Sequence, residues 1–145
     1  MRLTREGDYA VRVLVDLAGR PHGDVVCTDD LSLSTGVPRA YLAKIIQILS
    51  RASLVQTRQG PGGGVSLLKD PATITLRQMV EAVEGPIYLN RCLIRPGECP
   101  RDSFCPVHPV WGRIQAVLIR ELDAVTARDL AEAPVVTRRA QGGGA

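Results

Sequence analysis

The sequence predicts a mainly α-helical protein that carries one short β-hairpin and a long C-terminal helix. Three observations predict it. Apolar residues recur at helical spacing in several separate segments. A glycine-rich turn joins two short strand-like runs within residues 54–68. Aromatic content is only 3% against 45% hydrophobic residues, so Leu, Val, Ile and Ala must build the core, which suits packed helices.

Thr4 is placed to cap a first helix with Glu6 in its first turn, and Ala10, Val13, Leu14 and Leu17 form its apolar stripe. Asp8 lies on the opposite face, and Gly19, Pro21 and Gly23 end the helix. Thr28, Asp29 and Asp30 signal a second start. Ser34 to Pro38 then supply a stop, a turn and a new start, since proline suits the first helical position. The next helix runs from about Pro38 to Arg51 with Leu42, Ile45, Ile46 and Leu49 as its buried stripe. Its far face carries Ala40, Lys44, Gln47 and Arg51. Strands are expected at 54–57 and 65–68, around the turn Arg58 to Gly64. Two helices about a turn, followed by a hairpin, is the order of a winged helix-turn-helix unit.

Thr75 precedes a short amphipathic helix (Leu76, Met79, Val80, Val83) that Gly85-Pro86 ends. Residues 87–106 show no periodicity. Pro109 opens a long helix to about Val125, and its apolar positions Trp111, Ile114, Leu118, Leu122 and Val125 form a seam that calls for a partner. The seam packs either on its own domain or on a second copy. A homodimer is expected, because 145 residues with a separate binding unit leave little spare core. Thr126 to Asp129 has the form of a capping box for a last short helix. The chain thus divides into a binding domain (1–85), a cysteine-rich loop (86–108), a dimerisation helix with a short terminal helix (109–132) and a tail expected to be disordered (133–145).

A net charge of +3 and a pI of about 8.9 permit nucleic-acid binding without demanding it. No run of 18 apolar residues predicts a membrane span, and residues 1–6 lack the apolar run of a signal peptide, so a cytoplasmic protein is expected. No general base, Ser–His–Asp set or phosphate loop supports an enzyme.

In a reducing compartment, four cysteines read as metal or redox groups before they read as disulfides. Cys92, Cys99, Cys105 and His108 are spaced Cys-x6-Cys-x5-Cys-x2-His, four soft or borderline ligands in one loop. The step from Cys105 to His108 puts both side chains on one face if it is helical. Prolines 96, 100 and 106 stiffen this coreless loop, and a bound centre would cross-link it. An iron–sulfur cluster is expected, 2Fe–2S before 4Fe–4S. Structural zinc is the alternative, although the tight cysteine pairs that zinc favours are absent. Cys27, alone between Val26 and Thr28, reads as a small buried residue.

The turn Gly60-Pro61-Gly62-Gly63-Gly64 lacks the Lys-Ser/Thr of a phosphate loop. As a wing tip, its bare backbone suits a narrow minor groove. The expected DNA contacts are Arg39, Ala40, Tyr41, Lys44 and Gln47 in the major groove. Arg51 and Arg58 would sit on phosphate or in the minor groove, with Gln59, Gly62 and Gly63 at the wing tip.

Four segments, MRLTREGDYAVR, TGVPRAYLAKIIQIL, GPGGG and CPVHPVW, together resemble the iron–sulfur regulators that include the IscR-like and NsrR-like repressors. The resemblance spans about residues 1–130. It implies a homodimer formed through the long helix, a double-stranded operator as partner, and a cluster on three cysteines plus a fourth ligand. In IscR-like proteins that ligand matches His108. In NsrR-like proteins it matches Asp8, supplied by the other subunit, and this chain keeps both. It departs from IscR-like proteins in a first cysteine gap of six instead of five, in Gln59 where Arg precedes the first wing glycine, and in Ala43 where Glu stands. A different operator is implied. Leu33 fills a position usually polar in the family.

Overall fold

The computed structural model describes residues 2–94, 97, 100, 101 and 103–134. The expected order of elements is present: α1 (Arg5–Ala18), α2 (Thr28–Thr35), α3 (Arg39–Arg51), β1 (Val55–Arg58), β2 (Gly64–Leu67), α4 (Leu76–Glu84), α5 (His108–Asp123) and α6 (Ala127–Glu132). Single 3-10 turns lie at Pro71–Thr73 and Arg91–Leu93. No described helix is long and apolar enough to cross a membrane.

Caps set the helix starts. Thr4 Oγ1 accepts from the Gly7 N–H at 3.1 Å. Thr75 and Thr126 each open a reciprocal capping box, with Gln78 and Asp129 as third residues. Gly36, at φ 73, ends α2 in the left-handed conformation. Pro38 is the cap of α3 and not its first turn, so α3 begins one residue later than expected. The two strands pair antiparallel from Val55↔Leu67 to Arg58↔Gly64, each shifted one residue toward the turn.

Every predicted stripe residue of α1 and α3 is buried: Ala10, Val13, Leu14 and Leu17 meet Leu42, Ile45, Ile46 and Leu49 in one core with Leu31, Val37, Val65, Ile74 and Met79. Val26 joins that core by a lone antiparallel bridge to Val65, with two hydrogen bonds of 2.8 Å. Cys27 is exposed, which corrects its expected burial. The physical reason is alternation: extended backbone that turns Val26 inward turns the next side chain outward.

α6 returns to the N-terminal core. The Leu76 N–H donates to the Val125 carbonyl and the Ala127 N–H to the Ile74 carbonyl, both at 2.8 Å, and Ala127 is fully buried against the core. Arg77 pairs with Glu81 of its own helix at 3.1 Å and pins α4 to α5 through Asp123 at 3.2 Å. The Glu81 carboxylate, then that of Asp123, raise its already high pKa. α5 has no fully buried residue, and Val110, Trp111, Ile114 and Val117 form an exposed apolar face.

Candidate functional site

The buried stripe of α3 decides what the helix shows outward. With Leu42, Ile45, Ile46 and Leu49 in the core, helical geometry leaves Arg39, Ala40, Tyr41, Lys44, Gln47 and Arg51 exposed on the outer side. All six residues of this helix expected to meet DNA are therefore exposed.

Three of these residues are held by side chains from other elements. Arg39 pairs with Asp29 of α2 at 2.8 Å. Lys44 Nζ donates to Glu6 Oε1 of α1 at 2.5 Å. Tyr41 meets the Tyr9 ring edge-on, with centroids 5.7 Å apart. The Arg12 guanidinium lies 5.8 Å from the Tyr9 centroid and pairs with Asp8 at 2.9 Å. Glu6, Tyr9 and Asp29 were not singled out as partners of this face. Nothing in local spacing relates Glu6 to Lys44, 38 residues away.

The wing hairpin places Arg58 and Gln59 exposed at its tip beside Gly60 and Gly62, whose φ values are 85 and 74 with open space where a side chain would go. Gly63 and Gly64 have another reason to be glycine. A Cβ on Gly63 would stand 2.2 Å from the Arg58 carbonyl oxygen, and one on Gly64 2.2 Å from that of Val26.

The cysteine loop is tied to α5 and to α4. The Leu89 N–H donates to Gln115 Oε1 at 3.0 Å, and the Ile87 N–H donates to Glu81 Oε1 at 3.2 Å. The 3-10 turn that carries Cys92 is capped by Asn90, which accepts from the Arg91 N–H at 2.8 Å. A cavity of about 220 Å³ is lined by Cys92, Cys105 and His108, together with Arg91, Arg101 and Trp111. Cys105 and His108 reach it differently than expected. Cys105 precedes α5 in a turn, closed by the His108 N–H donating to the Cys105 carbonyl at 3.2 Å. Pro106 disfavours a helical Cys105, so a shared helix face does not explain their proximity.

Three of the four expected ligands thus share one cavity, and the fourth, Cys99, lies outside the described residues. Among the described residues no three His, Cys, Asp or Glu side chains are grouped closely enough to hold an ion as they stand. The donor set, two thiols and an imidazole around one cavity, fits an iron–sulfur or zinc centre in kind. The two arginines add positive charge suited to an anionic thiolate-ligated group. Asp8, the alternative ligand, stands on α1 in its pair with Arg12.

The profile of the Rrf2 family, iron-dependent transcriptional regulators, matches residues 3–133. The chain is 32% identical over 130 residues to the HTH-type transcriptional regulator IscR of Escherichia coli, a match covering 90% of this chain and 80% of that one. Among solved structures, CymR, the global cysteine regulator of B. subtilis, superposes with a TM-score of 0.73 at 26% identity, over 90% of this chain and 96% of the other. IscR of T. potens shares the fold, with a TM-score of 0.71 at 23% identity over 90% of this chain and 85% of the other.

Proposed function

Because the chain belongs to the Rrf2 family of transcriptional regulators, and is therefore no enzyme, we propose that it is a cytoplasmic homodimeric repressor whose operator affinity depends on an iron–sulfur cluster held by Cys92, Cys99, Cys105 and a fourth ligand. The observation that carries this reading is the shared cavity of Cys92, Cys105 and His108 at the start of α5. His108 is the fourth ligand in this reading, since it already lines that cavity, with Asp8 of a second subunit as the alternative. When bound, such a cluster supplies a redox- and nitric-oxide-sensitive centre with oxidisable thiolate ligands.

The residues of this chain then do two things. Arg39, Ala40, Tyr41, Lys44 and Gln47 on α3 enter a major groove, while Arg51, Arg58 and the wing tip at Gln59, Gly62 and Gly63 hold phosphate or the adjacent minor groove. The ligand loop sets where α5 stands. Two copies joined along α5 must place their α3 helices about one DNA turn apart, so a small rotation of α5 can cost the second half-site. Only a difference in DNA affinity between the ordered and relaxed loop makes a switch.

The test is anaerobic purification with metal and sulfide analysis, then one binding titration on one DNA duplex with loaded protein, anaerobically stripped protein and the Cys99→Ala variant. A brown protein holding iron and sulfide, with loaded and stripped forms differing in affinity and Cys99→Ala matching the stripped form, is expected. Zinc in a colourless protein would replace sensing with a structural role. Equal affinities for all three samples at one salt concentration would end the switch.

A further inference from the structure

With α3 taken, as proposed above, to be the helix that meets DNA, the carboxylate at Glu6 bears on how Lys44 is used. Lys44 stands mainly in solvent and Glu6 is half-buried, with side-chain exposures of 59% and 35%. Exposed pairs add little to stability, so the contact is better understood by what it does to the lysine. An ammonium group has three donors. Glu6 Oε1 takes one at 2.5 Å. Two remain, the number that the O6 and N7 acceptors of a guanine can use. A lysine is also a flexible point charge that readily serves any phosphate. A lysine held by a carboxylate from α1 is restrained from doing so.

We infer that Glu6 is a positioning residue that keeps Lys44 reading a base edge and withholds it from the DNA backbone, so that Glu6 contributes to sequence discrimination. The same pairing of a cation with a carboxylate from another helix recurs at Arg39, held by Asp29 at 2.8 Å. At a matched base Lys44 keeps both its carboxylate and its base contact. At a wrong base it keeps only the carboxylate. Without Glu6 the lysine facing a wrong base swings to phosphate and recovers part of the loss, which blunts discrimination.

The experiment measures binding of the full-length protein to two duplexes, one selected by the wild-type chain from a random library and one of mixed sequence, over a range of salt concentrations. Glu6→Gln should tighten binding to the mixed-sequence duplex about two- to fivefold and steepen its log K against log salt slope by about one. It should change affinity for the selected duplex less, so the specificity ratio falls. In a Lys44→Ala background, Glu6→Gln should leave that ratio unchanged. An unchanged ratio in the single variant overturns the inference. So does an equal rise on both duplexes in both backgrounds, which is the mere removal of a repelling charge. If Lys44→Ala alone leaves binding to the selected duplex intact, the reading of α3 fails and this inference goes with it.

Discussion

Lys44 and Arg51 lie two turns apart on the exposed side of α3, and their chemistry assigns them different work. Lys44 sits mid-helix and Arg51 in the last turn; in the function proposed above, the first position meets base edges and the second lies where the helix leaves the groove. Lys44→Ala should cost about 1–3 kcal/mol on a selected duplex and relax base preference at one position. Arg51→Ala should weaken binding to every sequence alike and flatten the salt slope by about one. Fluorescence anisotropy on matched and mutated duplexes at several salt concentrations separates them. If neither substitution changes binding, α3 does not enter the groove. The outward face of this helix was legible because its inward face was: four apolar residues at helical spacing leave one place for the rest. Its clasping partners were not legible, since Glu6, Tyr9 and Asp29 reach α3 only through the packing of α1 and α2 on it.

At the scale of the element, the wing shows why one glycine run holds two kinds of glycine. Gly62 has φ 74 and empty space beside it, so Gly62→Ala meets only backbone strain. Gly64 packs against the Val26 backbone, where the lone bridge joins the wing to the segment before α2. Gly64→Ala should therefore destabilise the protein more than Gly62→Ala, whose strain is worth about 1–2 kcal/mol. Urea denaturation of the two variants checks the order, and equal midpoints would contradict the close approach. The turn itself was readable from composition. The third segment against the wing was not, because Val26 lies 39 residues from Val65 and belongs to no strand-length run.

At the scale of the whole molecule, α5 keeps an apolar face in solvent. Val110, Trp111, Ile114 and Val117 are exposed, with Leu118 and Leu122 half-buried beside them. The exposed face thus includes Trp111 and Ile114 from the predicted seam and adds Val110 and Val117. A second copy packed there would bury this face. Leu118→Asp should then yield monomers, because an unpaired buried charge costs several kcal/mol. Sedimentation velocity at micromolar concentration reads the outcome, and a monomeric wild-type chain would dismiss the dimer.

The amino-acid sequence by itself determined the element order, the core stripes, most caps and the outer face of α3. Each depends on residues within a few positions of one another, where helical and strand periods leave few choices. Only the tertiary structure decided that Cys27 faces outward, that α6 folds back onto the first core, that Cys92, Cys105 and His108 share a cavity through a turn and not a helix, and that Glu6 holds Lys44. Those are contacts across long stretches of chain or departures forced by prolines. Spacing along the chain carries no record of them, because the packing of whole elements sets them.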